Sequence, residues 1–129
     1  MFEVGVVGQF EAAHRLRGDF GPARRLHGHT YRVEVAARGQ ALGPDGTLCD
    51  LGTLQAAVQR VVDGLTYRDL DEVPAFQGIN TTAEAVARYL HREIAREVGA
   101  HLTARGVRSL VVQVWESPLA WAGYEAELG

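Results

Sequence analysis

The amino-acid sequence predicts an α+β fold built on one antiparallel sheet. Residues that alternate between apolar and polar character lie toward both ends of the chain, whereas apolar residues with helical spacing lie in its middle. The resulting order is β-β-α-α-β-β, and strand pairs that flank a helix pair are typical of antiparallel α+β domains. The 129 residues show no compositional break, so we expect residues 1–129 to form a single domain.

Two long strands are predicted in the N-terminal part of the chain, over residues 2–14 and 29–38, with a loop over residues 15–28 between them. Alternate residues of a strand share a face, and one row in each strand is mainly apolar. We therefore expect these two rows to face the core. The first row consists of Phe2, Val4, Val6, Gly8, Phe10, Ala12 and His14. The second row consists of His27, His29, Tyr31, Val33, Val35 and Ala37.

Apolar residues at helical spacing predict two helices in the middle of the chain. Asp50 is placed to cap the first helix, which is expected to run to about Asp63. Thr81 and Glu84 match a capping box at the start of the second helix. Gly99 is expected to end this second helix, because glycine is favoured just beyond a helix C-terminus.

The C-terminal part of the chain predicts two further strands, over residues 107–116 and 119–128, joined by a tight turn at residues 117–118. A single sheet of four strands has two exposed edges. Such edges expose unpaired backbone groups, and a ring of subunits that pairs them removes the problem. The sequence therefore favours a homo-oligomer.

Composition and charge exclude several classes of partner. The net charge is -3 and all 13 basic residues are arginine, with no basic stripe of the kind that binds nucleic acid. No apolar run approaches the length of a membrane span. Cys49 is the only cysteine, and it is expected to be a small buried residue. A chain without a possible intrachain disulfide, and without a signal peptide, suits the cytoplasm.

Three histidines stand out because they belong to the two inward rows. His14 ends the first row, and His27 and His29 begin the second. Three neutral imidazoles are typical of a catalytic zinc site in which the fourth position stays free. Spacing alone also allows hydrogen-bonded core histidines, so both interpretations stay open. His91 and His101 are expected to lie at the surface.

Four segments of the sequence together resemble one enzyme family. They are FEAAH at 10–14, HGH at 27–29, NTTAE at 80–84 and WES at 115–117. In this order they resemble the 6-pyruvoyltetrahydropterin synthases, a family that includes the 6-carboxytetrahydropterin synthases of queuosine biosynthesis. The resemblance extends over nearly the whole chain.

The resemblance implies the tunnelling fold, a four-stranded antiparallel sheet with two helices on one face. It implies trimers that stack into hexamers, with active sites between subunits. It also implies a lyase that acts on 7,8-dihydroneopterin triphosphate or a related reduced pterin. By the same resemblance, His14, His27 and His29 would bind Zn²⁺.

The resemblance assigns pterin-binding roles to four further residues. Glu116 matches the family's pterin anchor, and a carboxylate can accept two parallel hydrogen bonds from the ring NH and the exocyclic amine of a pterin. Thr81, Thr82 and Glu84 lie where the family places a helix N-terminus in the pterin pocket. A capping box by itself also accounts for Thr81 and Glu84, so both explanations stay open.

The sequence departs from the family at its usual acid–base positions. Ala23 stands where the queuosine-pathway members have a cysteine, and Thr66 and Tyr67 stand where the family has an Asp-His pair. Tyr67 is a candidate general acid and Asp69 a candidate base, with Glu11 as an alternative base. Tyr67 can equally fill the space that a histidine would occupy.

These departures leave three functional hypotheses. The first is a zinc-dependent tetrahydropterin synthase with a modified proton relay. The second is a catalytically silent, zinc-containing oligomer that binds a pterin or a purine. The third is an oligomeric scaffold in which the metal is structural.

Overall fold

The two helices of the protein pack on one mixed sheet in a computed structural model that describes all 129 residues. The α+β class predicted from the sequence is confirmed. The sheet order is β3-β1-β2-β4-β5. The elements are β1 (Phe2–His14), β2 (His27–Gly39), α1 (Leu51–Asp63), β3 (Arg68–Asp69), α2 (Ala83–Ala104), β4 (Val107–Ser117) and β5 (Ala120–Glu127).

Strands β1 and β2 form one continuous antiparallel pair that sets the position of the histidines. His14 lies opposite His27, and Ala12 lies opposite His29. The second strand therefore begins at His27, two residues earlier than the sequence predicts, because the pairing with β1 continues to its last residue. The register places all three histidines at one end of the sheet.

A fifth strand makes the sheet mixed rather than wholly antiparallel. Arg68 and Asp69 pair in parallel with Ala12 and Ala13, so the expected count of four strands is wrong by this two-residue element. Two residues are too few to show an alternation in the sequence. The strand covers the outer edge of β1 only beside the histidines, where Glu11 also bonds to Thr66 and Tyr67. Residues 2–10 of that edge have no strand partner in the single chain.

The helix ends agree with the sequence at α1 and differ at α2. Asp50 caps α1 by accepting hydrogen bonds from the backbone N–H groups of Gly52 and Thr53. The cap of α2 is Thr82, whose hydroxyl accepts from the N–H of Ala85, so the prediction of Thr81 as the capping residue is wrong. The reason is that Thr81 is buried and bonded elsewhere.

Helix α2 also continues past Gly99 to Ala104, and His101 belongs to its last turn. A glycine inside a helix costs only about 0.5–1 kcal/mol relative to alanine. The burial of Val98 and Leu102 in the core outweighs this cost.

Both helices contribute to a single core of 27 buried hydrophobic residues on the inward face of the sheet. The rings of Phe10 and Tyr31 stack at 4.7 Å in this core, next to the histidine end. Gly8 lets α1 approach β1, because a Cβ atom there would lie 2.9 Å from Cγ1 of Val58. No helix is long and apolar enough to cross a membrane.

The expectation that His91 lies at the surface is wrong, while His101 is exposed as expected. His91 is 6% exposed. Its Nε2 lies 3.3 Å from the backbone oxygen of Ala126, and its ring packs edge-on against Tyr124. The charged residues near His91 in the sequence lie on other faces of α2, so they do not predict the exposure of His91, which faces β5.

Candidate metal centre

The three histidines of the inward rows meet at one point. One possible ligand atom from each of His14, His27 and His29 lies within 4.8 Å of the other two. The ring centroids are 4.6 Å apart for His14 and His27, 4.8 Å for His27 and His29, and 5.1 Å for His14 and His29. His14 is fully buried, and the other two are partly buried. The strand register brings the side chains together without any loop.

Hydrogen bonds fix the tautomers of two of these rings. The Nδ1–H of His14 donates to the backbone oxygen of Thr81 at 2.8 Å, and that of His27 donates to the backbone oxygen of Arg25 at 2.7 Å. A carbonyl oxygen only accepts, so the proton of each neutral ring belongs on Nδ1. The Nε2 atoms then carry free lone pairs, as metal-ligating histidines require.

The Nε2 atoms of His14 and His29 are buried without any hydrogen-bond partner. Leaving a buried polar atom unpaired costs roughly 1–3 kcal/mol. A cation bound among the three rings would satisfy both atoms at once, so the donor set fits a metal ion. Burial lowers the pKa of His14, and the nearby His27 and His29 lower it further against the opposing effects of Thr81 and Glu116. The neutral, metal-binding form is thereby favoured.

Glu116 lies beside the histidines on the inward side of β4. Its Oε2 is 3.8 Å from Nε2 of His29, and its side chain is 27% exposed. The carboxylate lines a cavity of about 330 Å³ together with Thr82 and Glu84. The other lining residues are Leu16, Phe20, Ala83, Ala120, Trp121 and Ala122. Three of the four residues expected to contact a pterin therefore face one cavity with apolar walls.

Tyr67 and Asp69 line a second cavity, of about 540 Å³, together with Glu11 and His29. Tyr67 is 83% exposed, so it fills no space in the core. Its backbone has a φ of 59°, a conformation that is uncommon outside glycine. The carboxylate of Asp69 accepts a hydrogen bond from the N–H of Asp71. His29 thus borders one cavity and contacts the carboxylate of the other.

Thr81 does not line either cavity. It is fully buried, and its hydroxyl donates to Oδ1 of Asp71 at 3.0 Å. Sequence reasoning missed Asp71 altogether. The residue lies in a short 3₁₀ segment, Leu70–Glu72, which has no periodicity to predict its contacts. The sequence has two aspartates close together, Asp69 and Asp71, and no local pattern predicts which of them bonds to Arg15 and Thr81.

Comparison with known proteins identifies the family. Residues 3–127 match the family model described as 6-pyruvoyl tetrahydropterin synthase. The chain belongs to this family. Its members are tetrahydropterin synthases, which are lyases.

Individual relatives agree over nearly the full length of the chain. It is similar to the 6-carboxy-5,6,7,8-tetrahydropterin synthase of Haemophilus influenzae, with 23% identity over 97% of this chain and 99% of that protein. The 6-pyruvoyl tetrahydropterin synthase structure from Plasmodium falciparum superposes with a TM-score of 0.85 and 20% identity, covering 98% of each chain. The Caenorhabditis elegans 6-pyruvoyl tetrahydropterin synthase gives a TM-score of 0.81 and 26% identity, covering 97% of this chain and 95% of that one. The fold is therefore the tunnelling fold of this family, as the sequence resemblance implied.

Proposed function

We propose that this protein is a zinc-dependent tetrahydropterin synthase that acts on 7,8-dihydroneopterin triphosphate or a related reduced pterin. The observation that carries the proposal is the meeting of His14, His27 and His29, with the buried Nε2 atoms of His14 and His29 left without partners. Three nitrogen ligands with no thiolate are typical of a catalytic zinc site with an open position. When bound there, zinc would acidify a substrate hydroxyl and stabilise developing negative charge.

Glu116 would hold the pterin ring in place beside the histidines. Its two carboxylate oxygens can accept parallel hydrogen bonds from the ring NH and the exocyclic amine, which fixes the orientation of the ring. The 3.8 Å distance from Glu116 to His29 supports a bound ring directly next to the metal ligands. The apolar residues of the 330 Å³ cavity would exclude water from the ring, and Thr82 and Glu84 also line this cavity.

Proton transfer is assigned to Tyr67 and Asp69, because both line the cavity that His29 borders. The phenol of Tyr67 would donate a proton and the carboxylate of Asp69 would accept one. General acid–base groups typically contribute about a hundred- to ten-thousand-fold in rate. Both residues come directly before or within β3, the strand that pairs with β1 beside His14.

A catalytically silent pterin- or purine-binding protein is the second candidate function. It is favoured by Ala23, whose methyl group cannot transfer a proton, and by the exposure of Tyr67. Such a protein would keep the metal and Glu116 but would form no product.

The proposed assembly is a single-domain chain in a cytoplasmic homo-oligomer, a hexamer of two trimers with its active sites between subunits. Support comes from the two open sheet edges, on β1 over residues 2–10 and on β5. Two large apolar residues, Leu119 just before β5 and Trp121 within it, are also exposed in the single chain. Pairing β5 of one subunit with β1 of the next would satisfy both edges.

The deciding experiment measures zinc and product together. The purified protein is assayed for bound zinc by elemental analysis and then incubated with 7,8-dihydroneopterin triphosphate. Release of triphosphate or acetaldehyde supports the synthase. Bound zinc with tight pterin binding and no product supports the silent binder. Bound zinc without pterin binding supports a scaffold in which the metal is structural.

A further inference from the structure

The carboxylate of Asp71 joins the two chain segments that flank His14. Its Oδ2 accepts a hydrogen bond from the backbone N–H of Arg15 at 2.9 Å, and its Oδ1 accepts from the hydroxyl of Thr81 at 3.0 Å. Arg15 directly follows His14 in the chain. Thr81 supplies the backbone oxygen that binds Nδ1–H of His14. One carboxylate therefore contacts both neighbours of this ring.

We propose that Asp71 is a positioning residue that selects the tautomer of His14 needed for metal binding. The proposal rests on the metal site proposed above. It adds a role for Asp71, a residue that contacts no ring nitrogen of the three histidines and lines neither cavity.

The hydroxyl of Thr81 makes this selection necessary. Its oxygen lies 3.3 Å from Nδ1 of His14. If the hydroxyl proton pointed at Nδ1, the ring proton would have to move to Nε2, and Nε2 could no longer bind a cation. An ionised carboxylate can only accept hydrogen bonds, so Asp71 draws the hydroxyl proton toward itself. The Thr81 oxygen then presents a lone pair to His14. A lone pair can only accept a hydrogen bond, so Nδ1 must carry the ring proton.

Burial makes the selection effective. His14 and Thr81 are both fully buried, so bulk water cannot replace Thr81 as the hydrogen-bond partner of His14. The backbone oxygen of Thr81 alone does favour the same tautomer. The carboxylate removes the one competing donor within reach of Nδ1.

Asn80 provides a matched control for the structural part of this arrangement. Its side chain accepts from the N–H of Arg17 at 2.9 Å and donates to the backbone oxygen of Arg17 at 3.0 Å. It thus ties the same two segments together as Asp71 does. It has no hydrogen bond to His14 or Thr81 side-chain atoms, so its removal loosens the segments without changing the donor that faces Nδ1.

The test compares Asp71→Asn, Asn80→Ala, Thr81→Val and the double variant Asp71→Asn with Thr81→Val. An asparagine amide can donate to the Thr81 oxygen and turn the hydroxyl proton toward His14. We expect Asp71→Asn to weaken zinc binding about 10- to 100-fold, the usual range for a lost outer partner of a ligating histidine. We expect Thr81→Val to restore most of that loss in the double variant, because the competing hydroxyl is gone.

Nitrogen-15 NMR of the metal-free protein supplies a readout that a merely structural role would not change. The parent protein and Asn80→Ala should show His14 protonated on Nδ1, whereas Asp71→Asn should show a shift of protonation to Nε2. An unchanged tautomer in Asp71→Asn would overturn the proposal. Equal losses of zinc affinity in Asp71→Asn and Asn80→Ala, or no rescue in the double variant, would overturn it too. A parent protein that binds no zinc would overturn the metal site alone, and the NMR result would still decide the role of Asp71.

Discussion

Nε2 of His29 lies 3.8 Å from Oε2 of Glu116, across the neighbouring strands β2 and β4. The same imidazole belongs to the candidate metal triad, and the same carboxylate lines the cavity proposed for the pterin ring. Metal binding and pterin binding should therefore be coupled, because the metal would bind His29 and the pterin would bind Glu116.

Removal of His29 should strip the metal and leave the fold intact. In the His29→Ala variant two imidazoles remain, one fewer than the three protein ligands of a catalytic zinc site, and bound zinc should fall to roughly a tenth of the parent value or less. The far-ultraviolet circular dichroism should not change, since His29 is only partly buried. His101→Ala is the control, because His101 is exposed in α2. Equal zinc content in His29→Ala and the parent would exclude His29 from the ligand set.

Replacement of Glu116 by glutamine should weaken pterin binding while zinc stays bound. A charged hydrogen bond is worth about 1.5–3 kcal/mol, so the Kd for a reduced pterin should rise roughly 10- to 100-fold. Isothermal titration calorimetry with the zinc-loaded protein measures this change. Glu127→Gln is the control, because Glu127 lies on β5 away from the cavity. A Kd unaffected by Glu116→Gln would remove the carboxylate from the ring site.

The stability of the metal-free protein should fall as the pH is lowered below about 6.5. Burial holds the pKa of His14 below its ordinary value of 6.5. The unfolded chain then binds a proton at a higher pH than the folded chain does, so protonation favours unfolding. The loss begins near pH 6.5 and is complete once the pH is below the lowered pKa. Urea unfolding of the metal-free protein between pH 8 and pH 5 should show it.

The same titration in the His14→Gln variant serves as the comparison. Glutamine does not titrate, so the unfolding free energy should depend less on pH over this range. An identical slope in the two proteins would place the titrating group elsewhere.

Thr82 should contribute to stability through its cap on α2. Its hydroxyl accepts from the N–H of Ala85 at 3.2 Å, and loss of such a cap costs about 1 kcal/mol. Thr82→Ala should lower the free energy of unfolding by this amount, and Thr82→Ser should restore it. If Thr82→Ala weakened pterin binding and left stability unchanged, Thr82 would be a ligand contact and its cap would be unimportant.

The sequence predicted the convergence of the histidines because strand alternation is a local rule. His14, His27 and His29 share one face whenever β1 and β2 pair in register, and the apolar rows in both strands fix that register. The position of Glu116 follows from the same rule applied to β4. These parts of the site needed no information about the loops.

The support around the histidines was not predictable in the same way. Thr81 was expected to cap α2, yet it is buried next to His14. Its hydroxyl donates to Asp71, and its backbone oxygen accepts from Nδ1–H of His14. These contacts depend on the path of residues 64–82, which contain short 3₁₀ turns and a two-residue strand. No period in the sequence describes such a path.

The most direct test of the proposed zinc site is X-ray absorption at the zinc edge of the protein loaded with one zinc per chain. We predict three imidazole nitrogens at about 2.0–2.1 Å from the zinc and one further light atom. Scattering from sulfur at about 2.3 Å, or failure to retain one zinc per chain, would contradict it.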